Sequence, residues 1–337
     1  MTADTSGPPV SRIEEIDDWL TCQIGPGRGP LVPIAGDAGP RRYFRVSHAG
    51  GTRVVMDAVP GADEVHRFLR TGELLRAAGV HAPEVYAAAP DRGLVLLEDL
   101  GERDYLAGFA RGEDDRLMPA ALRALVRWQA ASRSGVLPPY DEALLRRELG
   151  LFPEWYLQQH RGIRLNARDL GAWECVCDAL VARALAQPQV YVHRDYMARN
   201  LMVCEGLPGV IDHQDAVYGP LAYDLAALLR DAFWEWPAPT EDRWIGFYLA
   251  EARAVGLPVP HDEAFRQDLD WMAVQRHLKI LGLFARLYYR DGKSRYLPEL
   301  PRFARFIRRE AAPWPALSPL LSLFDRHGVG EESACGR

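Results

Sequence analysis

Asp195 and Asn200 stand five residues apart in His193-Arg194-Asp195-Tyr196-Met197-Ala198-Arg199-Asn200, and Asp212 follows in Val210-Ile211-Asp212-His213-Gln214-Asp215. An aspartate on a rigid loop can accept a hydroxyl's proton and aim the oxygen at an electrophile. An asparagine oxygen and a second carboxylate are hard donors of the kind Mg²⁺ prefers. Together they point to phosphoryl transfer, which asks a protein chiefly for positioning and for neutralisation of spreading negative charge. Asp195 is therefore the expected base, and Asn200 and Asp212 the expected Mg²⁺ ligands. His193 reads as a packed support of the loop rather than a catalyst.

Short strands must position these residues. Gln189-Val190-Tyr191-Val192 and Leu201-Met202-Val203-Cys204 flank the loop, and a turn at Glu205 to Pro208 leads into Gly209-Val210-Ile211. The first hundred residues carry the same strand character. Tyr43 to Val46 and Arg53 to Met56 are joined by the hairpin signal His48-Ala49-Gly50-Gly51, and Pro83 to Ala88 and Leu94 to Leu97 by Pro90 to Gly93. Between them, Glu64 to Ala78 has helical spacing, and Ser11 with Glu14 forms a capping box that opens an N-terminal helix. Beyond Gly101 the periodicity turns helical, at about 114–133, 141–160 and 167–187 and again after 221.

At 337 residues the chain is long enough for two cores, here expected as residues 1–100 and 101–337. A formal net charge of −6 argues against a nucleic-acid binder. Five cysteines without a C-x-x-C pair suit neither a zinc site nor a secreted disulfide framework, so a cytoplasmic setting is expected. Met1 to Val10 lacks the build of a signal peptide, no apolar run is long enough to span a bilayer, and Glu331 to Arg337 reads as a disordered tail. A monomer without membrane or nucleic-acid partners is the expectation.

The eight-residue loop matches the kinase pattern H-R-D-x-x-x-x-N, with Asp212 in the D-F-G role. With Tyr223-Asp224-Leu225-Ala226, these segments resemble the aminoglycoside-phosphotransferase family of kinase-like enzymes. The resemblance implies an α+β, bilobal protein-kinase-like fold: a five-stranded antiparallel N-lobe and a mainly helical C-lobe, with ATP held between them. It implies that Glu98, Asp99 and Leu100 form a hinge whose backbone binds adenine, and that Asp224 holds the catalytic segment from a helix start. A narrower resemblance lies in Gly36-Asp37-Ala38 through Arg45, Asp215 to Pro220, and Gln275 to Lys279 with Arg286 and Arg290 to Lys293. These are similar to the bacterial anomeric kinases of N-acetylmuramate and N-acetylglucosamine of cell-wall recycling, which implies an amino-sugar substrate and a sugar 1-phosphate product.

One position departs from the kinase pattern. The run Val54-Val55-Met56-Asp57 ends in an acid where V-A-I-K ends in lysine, and no lysine precedes Lys279. Arg41 and Arg42 are the expected phosphate-binding substitutes. Gln275, Lys279, Arg286 and Arg290 share a helical stripe, which would suit an anionic acceptor better than a polycationic aminoglycoside. Gln214, Asp215, Arg230, His277, Lys279 and Arg286 are the candidate sugar contacts, and Trp234 and Trp236 are possible stacking faces. Two alternatives stand beside this reading: a kinase for an aminoglycoside or another small hydroxyl compound, and a pseudokinase-like binding module suggested by Asp57.

Overall fold

A computed structural model describes residues 11–34, 41–58 and 62–330. Gly36 to Gly39, the N-terminal ten residues and the tail after 330 lie outside the described residues. Contacts divide the chain into two compact units: Met1–Glu73 with Ala82–Gly101, and Leu74–His81 with Glu102–Arg337.

The first unit opens with α1 (Arg12–Ile24), whose Ser11–Glu14 capping box is formed in both directions. Then come β1 (Val32–Ile34), β2 (Arg42–His48), β3 (Gly51–Asp57), α2 (Ala62–Ala77, which runs on into the second unit), β4 (Val85–Ala89) and β5 (Leu94–Glu98). All five strands pair antiparallel, in the order β1-β2-β3-β5-β4. The sheet buries side chains on both faces. Phe44, Val46, Val55, Leu94 and Leu96 pack on Ile16, Trp19 and Leu20 of α1, whereas Met56, Val95 and Leu97 pack on Val65 and Phe68 of α2. Successive strand residues alternate between these faces.

The second unit is mainly helical: α3 (Tyr105–Phe109), α4 (Asp114–Ala130), α5 (Glu142–Leu149) and α6 (Ala167–Ala186), then α7 (Tyr223–Leu229), α8 (Ala238–Ala254), α9 (Asp262–Tyr289), α10 (Leu300–Ala311) and α11 (Ser318–His327). Four short strands lie between α6 and α7. β6 (Gln189–Val192) pairs with β9 (Val217–Pro220), and β7 (Leu201–Met202) with β8 (Gly209–Val210). The single amphipathic helix expected over 141–160 is instead two pieces. α5 ends at Leu149, and Phe152–His160 winds more widely, closing with the bond from Arg161 N to Tyr156 O.

That wide segment lies against α9, and the residue just before it, Leu151, presses on Gly282. A Cβ there would sit 2.2 Å from the carbonyl of Leu151, a backbone atom with no room to yield. Gly282→Ala is expected to destabilise the protein by about 1–3 kcal/mol, the usual range for overpacking a close contact. Scanning calorimetry checks this, and an unchanged melting temperature would contradict it.

Candidate active site

The segment 193–200 runs from β6 to β7, so two small ribbons fix its ends. Its start is set by a single buried side chain. One carboxylate oxygen of Asp224, in the first turn of α7, accepts the His193 amide at 2.6 Å, and the other accepts the Arg194 amide at 2.9 Å. Arg194 itself is left-handed (φ 74°), a conformation that costs a non-glycine residue about 1–2 kcal/mol. Its guanidinium pairs with buried Glu148, and its carbonyl accepts from Arg276 of α9 at 2.8 Å. The next residue, Asp195, is thereby turned outward and keeps 36% of its side-chain surface open.

Further along, Asp231 accepts the Ala198 amide at 2.8 Å. Asn200 donates its side-chain amide to the Asp195 carbonyl at 2.9 Å, which turns its Oδ1 the other way. The Asn200 carbonyl accepts from Ile211 N at 3.0 Å, so Asp212 begins directly beside Asn200. Asp212 is the other left-handed non-glycine residue among those described (φ 62°). Gln214 donates to its Oδ1 at 3.1 Å and to Asp215 at 3.3 Å, bridging two carboxylates. Asn200 and Asp212 thus start from neighbouring backbone positions, and each carries a hard oxygen. Among the described residues, no group of three or more His, Cys, Asp or Glu side chains forms a protein-only cage. Two protein oxygens completed by phosphate and water are what Mg²⁺ accepts, so the donor set fits that ion.

The electrostatics favour an ionised Asp195. Burial raises its pKa, but the positive charges of Lys279, Arg276 and Arg194 outweigh it and leave the carboxyl below its usual value. Arg276 Nη1 lies 3.8 Å from Asp195 Oδ1. Burial also lowers the pKa of His193 against the pull of Asp195 and Asp212, which keeps the ring neutral, as a supporting residue should be. Beneath the loop, Glu148 collects Lys279 at 3.0 Å, Gln275 at 3.2 Å, the Tyr140 hydroxyl and Arg194. Burial penalises that carboxylate, yet Lys279 and Arg194 hold it at about 2.

The phosphotransferase enzyme family model matches residues 30–266. The chain belongs to the phosphotransferase enzyme family. It is 43% identical over 334 residues to an N-acetylmuramate/N-acetylglucosamine kinase of Pseudomonas aeruginosa, covering 96% of this chain and 99% of that protein. A kinase of the same description from Neisseria meningitidis is 44% identical over 321 residues, 93% of this chain and 95% of its own. An ADP-bound aminoglycoside phosphotransferase superposes with a TM-score of 0.61 at 16% identity, covering 88% of this chain and 98% of that one. The protein-kinase-like fold, with its antiparallel sheet and helical remainder, follows.

Several expected contacts are engaged elsewhere. Arg230 pairs with Asp270 at 2.6 Å and Glu241 at 3.0 Å. His277, fully buried, bonds Glu310 at 2.8 Å and the Arg230 carbonyl at 3.1 Å. They form an internal charge network, because a buried charge must be paired. Arg286 stands ten residues along α9 from Arg276, about 15 Å at the helical rise, and so is remote from Asp195. Nor is the α9 stripe one continuous face, since Gln275 and Lys279 are buried while Arg290 is exposed. Trp234 and Trp236 pack on Phe109 at 5.7 and 4.9 Å between ring centres. In the hinge segment, Asp99 is clamped by Arg45 at 2.6 and 3.0 Å, and Glu98 N donates to Glu84 O at 2.8 Å. Arg45 also donates to the Gly101 carbonyl at 2.9 Å, so the backbone is held on either side of Leu100.

Arg42 is also engaged, donating to Asp57 Oδ2 at 3.0 and 2.5 Å, while Arg12 of α1 takes Oδ1 at 2.7 Å. Asp57 shares the parity of Val55, so it faces α1, and the α2-facing residue at that strand end is Met56. An acid here therefore does not occupy the place of a strand lysine that meets a helix. The sequence could not show this, because facing requires knowing what each side of the sheet packs against. Arg276, Glu148 and Asp231 were missed for a similar reason: each meets the loop across 33 to 82 residues of chain.

Glu148, with its pKa lowered to about 2 from 4.5, contributes stability that is full above pH 4.5 and is lost as pH falls toward 2. Glu148→Gln should lower the melting temperature at pH 7 and flatten its fall between pH 4.5 and 2.5. A variant that keeps the wild-type slope would show that another carboxylate carries this acid limb.

Proposed function

We propose that the protein transfers the γ-phosphoryl group of ATP to the anomeric hydroxyl of N-acetylmuramate or N-acetylglucosamine, yielding the sugar 1-phosphate. The 43–44% identity with kinases of that description, across nearly the whole chain, supports the substrate class. The observation that supports the reaction is the partly open Asp195 carboxylate, on a segment where Asn200 bonds back to the Asp195 carbonyl and the bond from Ile211 N to the Asn200 carbonyl brings the chain into Asp212 beside it. Magnesium, when bound, supplies charge neutralisation across the phosphate oxygens.

Asp195 accepts the acceptor hydroxyl's proton and aligns its oxygen with the γ-phosphorus. Asn200 and Asp212 would hold the metal, and Gln214 donates to the Asp212 carboxylate. The charges of Lys279 and Arg276 favour the ionised form of Asp195. Cations beside the catalytic carboxylate repel a polycationic acceptor and tolerate the carboxylate of N-acetylmuramate, which favours the amino sugar over an aminoglycoside. Place in cell-wall recycling and a cytoplasmic setting follow from the substrate. No helix among the described residues is long and apolar enough to cross a membrane.

Incubation with ATP, Mg²⁺ and N-acetylmuramate should give a phosphorus resonance coupled to the anomeric proton. Coupling to the C6 protons, or consumption of ATP with kanamycin-type acceptors only, would defeat the assignment. Asp195→Asn should lower kcat by about a thousandfold with the fold intact, the range for losing a general base. Near-normal turnover in that variant would remove its role.

A further inference from the structure

The sheet unit contains no lysine, and Asp57 with its arginines lies on the α1 face. The opposite face, covered by α2, carries a different cation. Arg41 immediately precedes β2 and has the parity of Tyr43, whose ring packs with the α2-side core. Its Nε lies 3.1 Å from Glu64 Oε1 in the first turn of α2, and its Nη1 donates to the Tyr43 hydroxyl at 3.2 Å. Only 12% of the Arg41 side chain is exposed, so its direction is set by these partners rather than by solvent. Glu73, further along α2, is exposed.

Kinases in general pair a strand cation with a helix acid, so that the cation meets nucleotide phosphates while the acid keeps it in place. A planar guanidinium can hold a carboxylate on one edge and phosphate oxygens on another. We infer that Arg41 is the phosphate-binding cation of this protein, that Glu64 and Tyr43 are its positioning residues, and that Arg42 serves the fold by pairing with Asp57. This rests on the nucleotide-dependent reading proposed above, and it moves the cation from the end of β3 to the residue that enters the neighbouring β2. An arginine there must reach across to α2, which its length permits and which Glu64 directs.

The test separates nucleotide binding from sugar turnover. Affinity for a fluorescent ATP analogue is measured without sugar, and KM for ATP and for N-acetylglucosamine are measured separately. Arg41→Met should weaken analogue binding and raise KM for ATP by about tenfold or more, the scale of a lost charge-assisted bond, with KM for the sugar unchanged. Arg41→Lys should recover part of the loss, and Glu64→Gln should show a smaller effect of the same kind with an unchanged melting temperature. Arg42→Met should bind the analogue as wild type does while melting at a lower temperature. Equal losses in the Arg41 and Arg42 variants, or normal ATP affinity in Arg41→Met, would overturn the assignment. If wild-type protein binds the analogue but leaves the sugar untouched, the sugar reading fails while the binding comparison still decides the role of Arg41.

Discussion

One buried carboxylate sets the shape on which the catalytic segment depends. Asp224 gathers two consecutive amides, and consecutive amides converge on one acceptor only where the backbone bends sharply. Arg194 makes that bend with a left-handed conformation. Burial raises the Asp224 carboxyl to about 7 even though the amides of His193 and Arg194 and the charge of Arg276 pull against it. The cluster therefore works as a unit. Asp224 needs the amides to remain an acceptor, and the bend needs Asp224 to persist. The consequence is directional: the residue after the bend is the one turned toward solvent, and that residue is Asp195.

A second layer of charge supports this bend from beneath. Glu148 binds the Arg194 side chain and Lys279, and Arg276 binds the Arg194 carbonyl. Buried ion pairs add little net stability, because desolvation offsets their attraction, but removing one partner leaves a costly orphan charge. Their value here is geometric. They fix Arg194 at both its side chain and its carbonyl, and they bring positive charge to Asp195 without a lysine in the loop. A parallel network of Arg230, Glu241, Asp270, His277 and Glu310 does the same for the segment that ends in Asp231, the acceptor of the Ala198 amide.

Much of this was legible in the residues. Strand alternation, two hairpin signals, a capping box and an eight-residue loop gave the sheet, the helical remainder and the positions of Asp195, Asn200 and Asp212. What stayed hidden were facts of pairing. Asp57 looked like a misplaced lysine because a strand's parity becomes meaningful only once α1 and α2 are known to cover opposite faces. Lys279 and Gln275 read as part of an acceptor-facing stripe because helical spacing aligns them with Arg286 and Arg290; their burial depends on Glu148, which lies more than a hundred residues away in the chain. Arg230 and His277 read as ligand contacts because polar side chains without a visible partner invite that reading, and their partners lie on α8, α9 and α10.

The broad family match ends at residue 266, four residues into α9, whereas Arg276 and Lys279 lie further along the same helix. From there both residues reach back to the loop, Arg276 to the Arg194 carbonyl and Lys279 to the Glu148 carboxylate beneath it. The segment from 193 to 200 therefore leans on a stretch of chain that the shared family pattern leaves undescribed. A substitution in that stretch would be felt as a disturbed bend rather than as a change of surface.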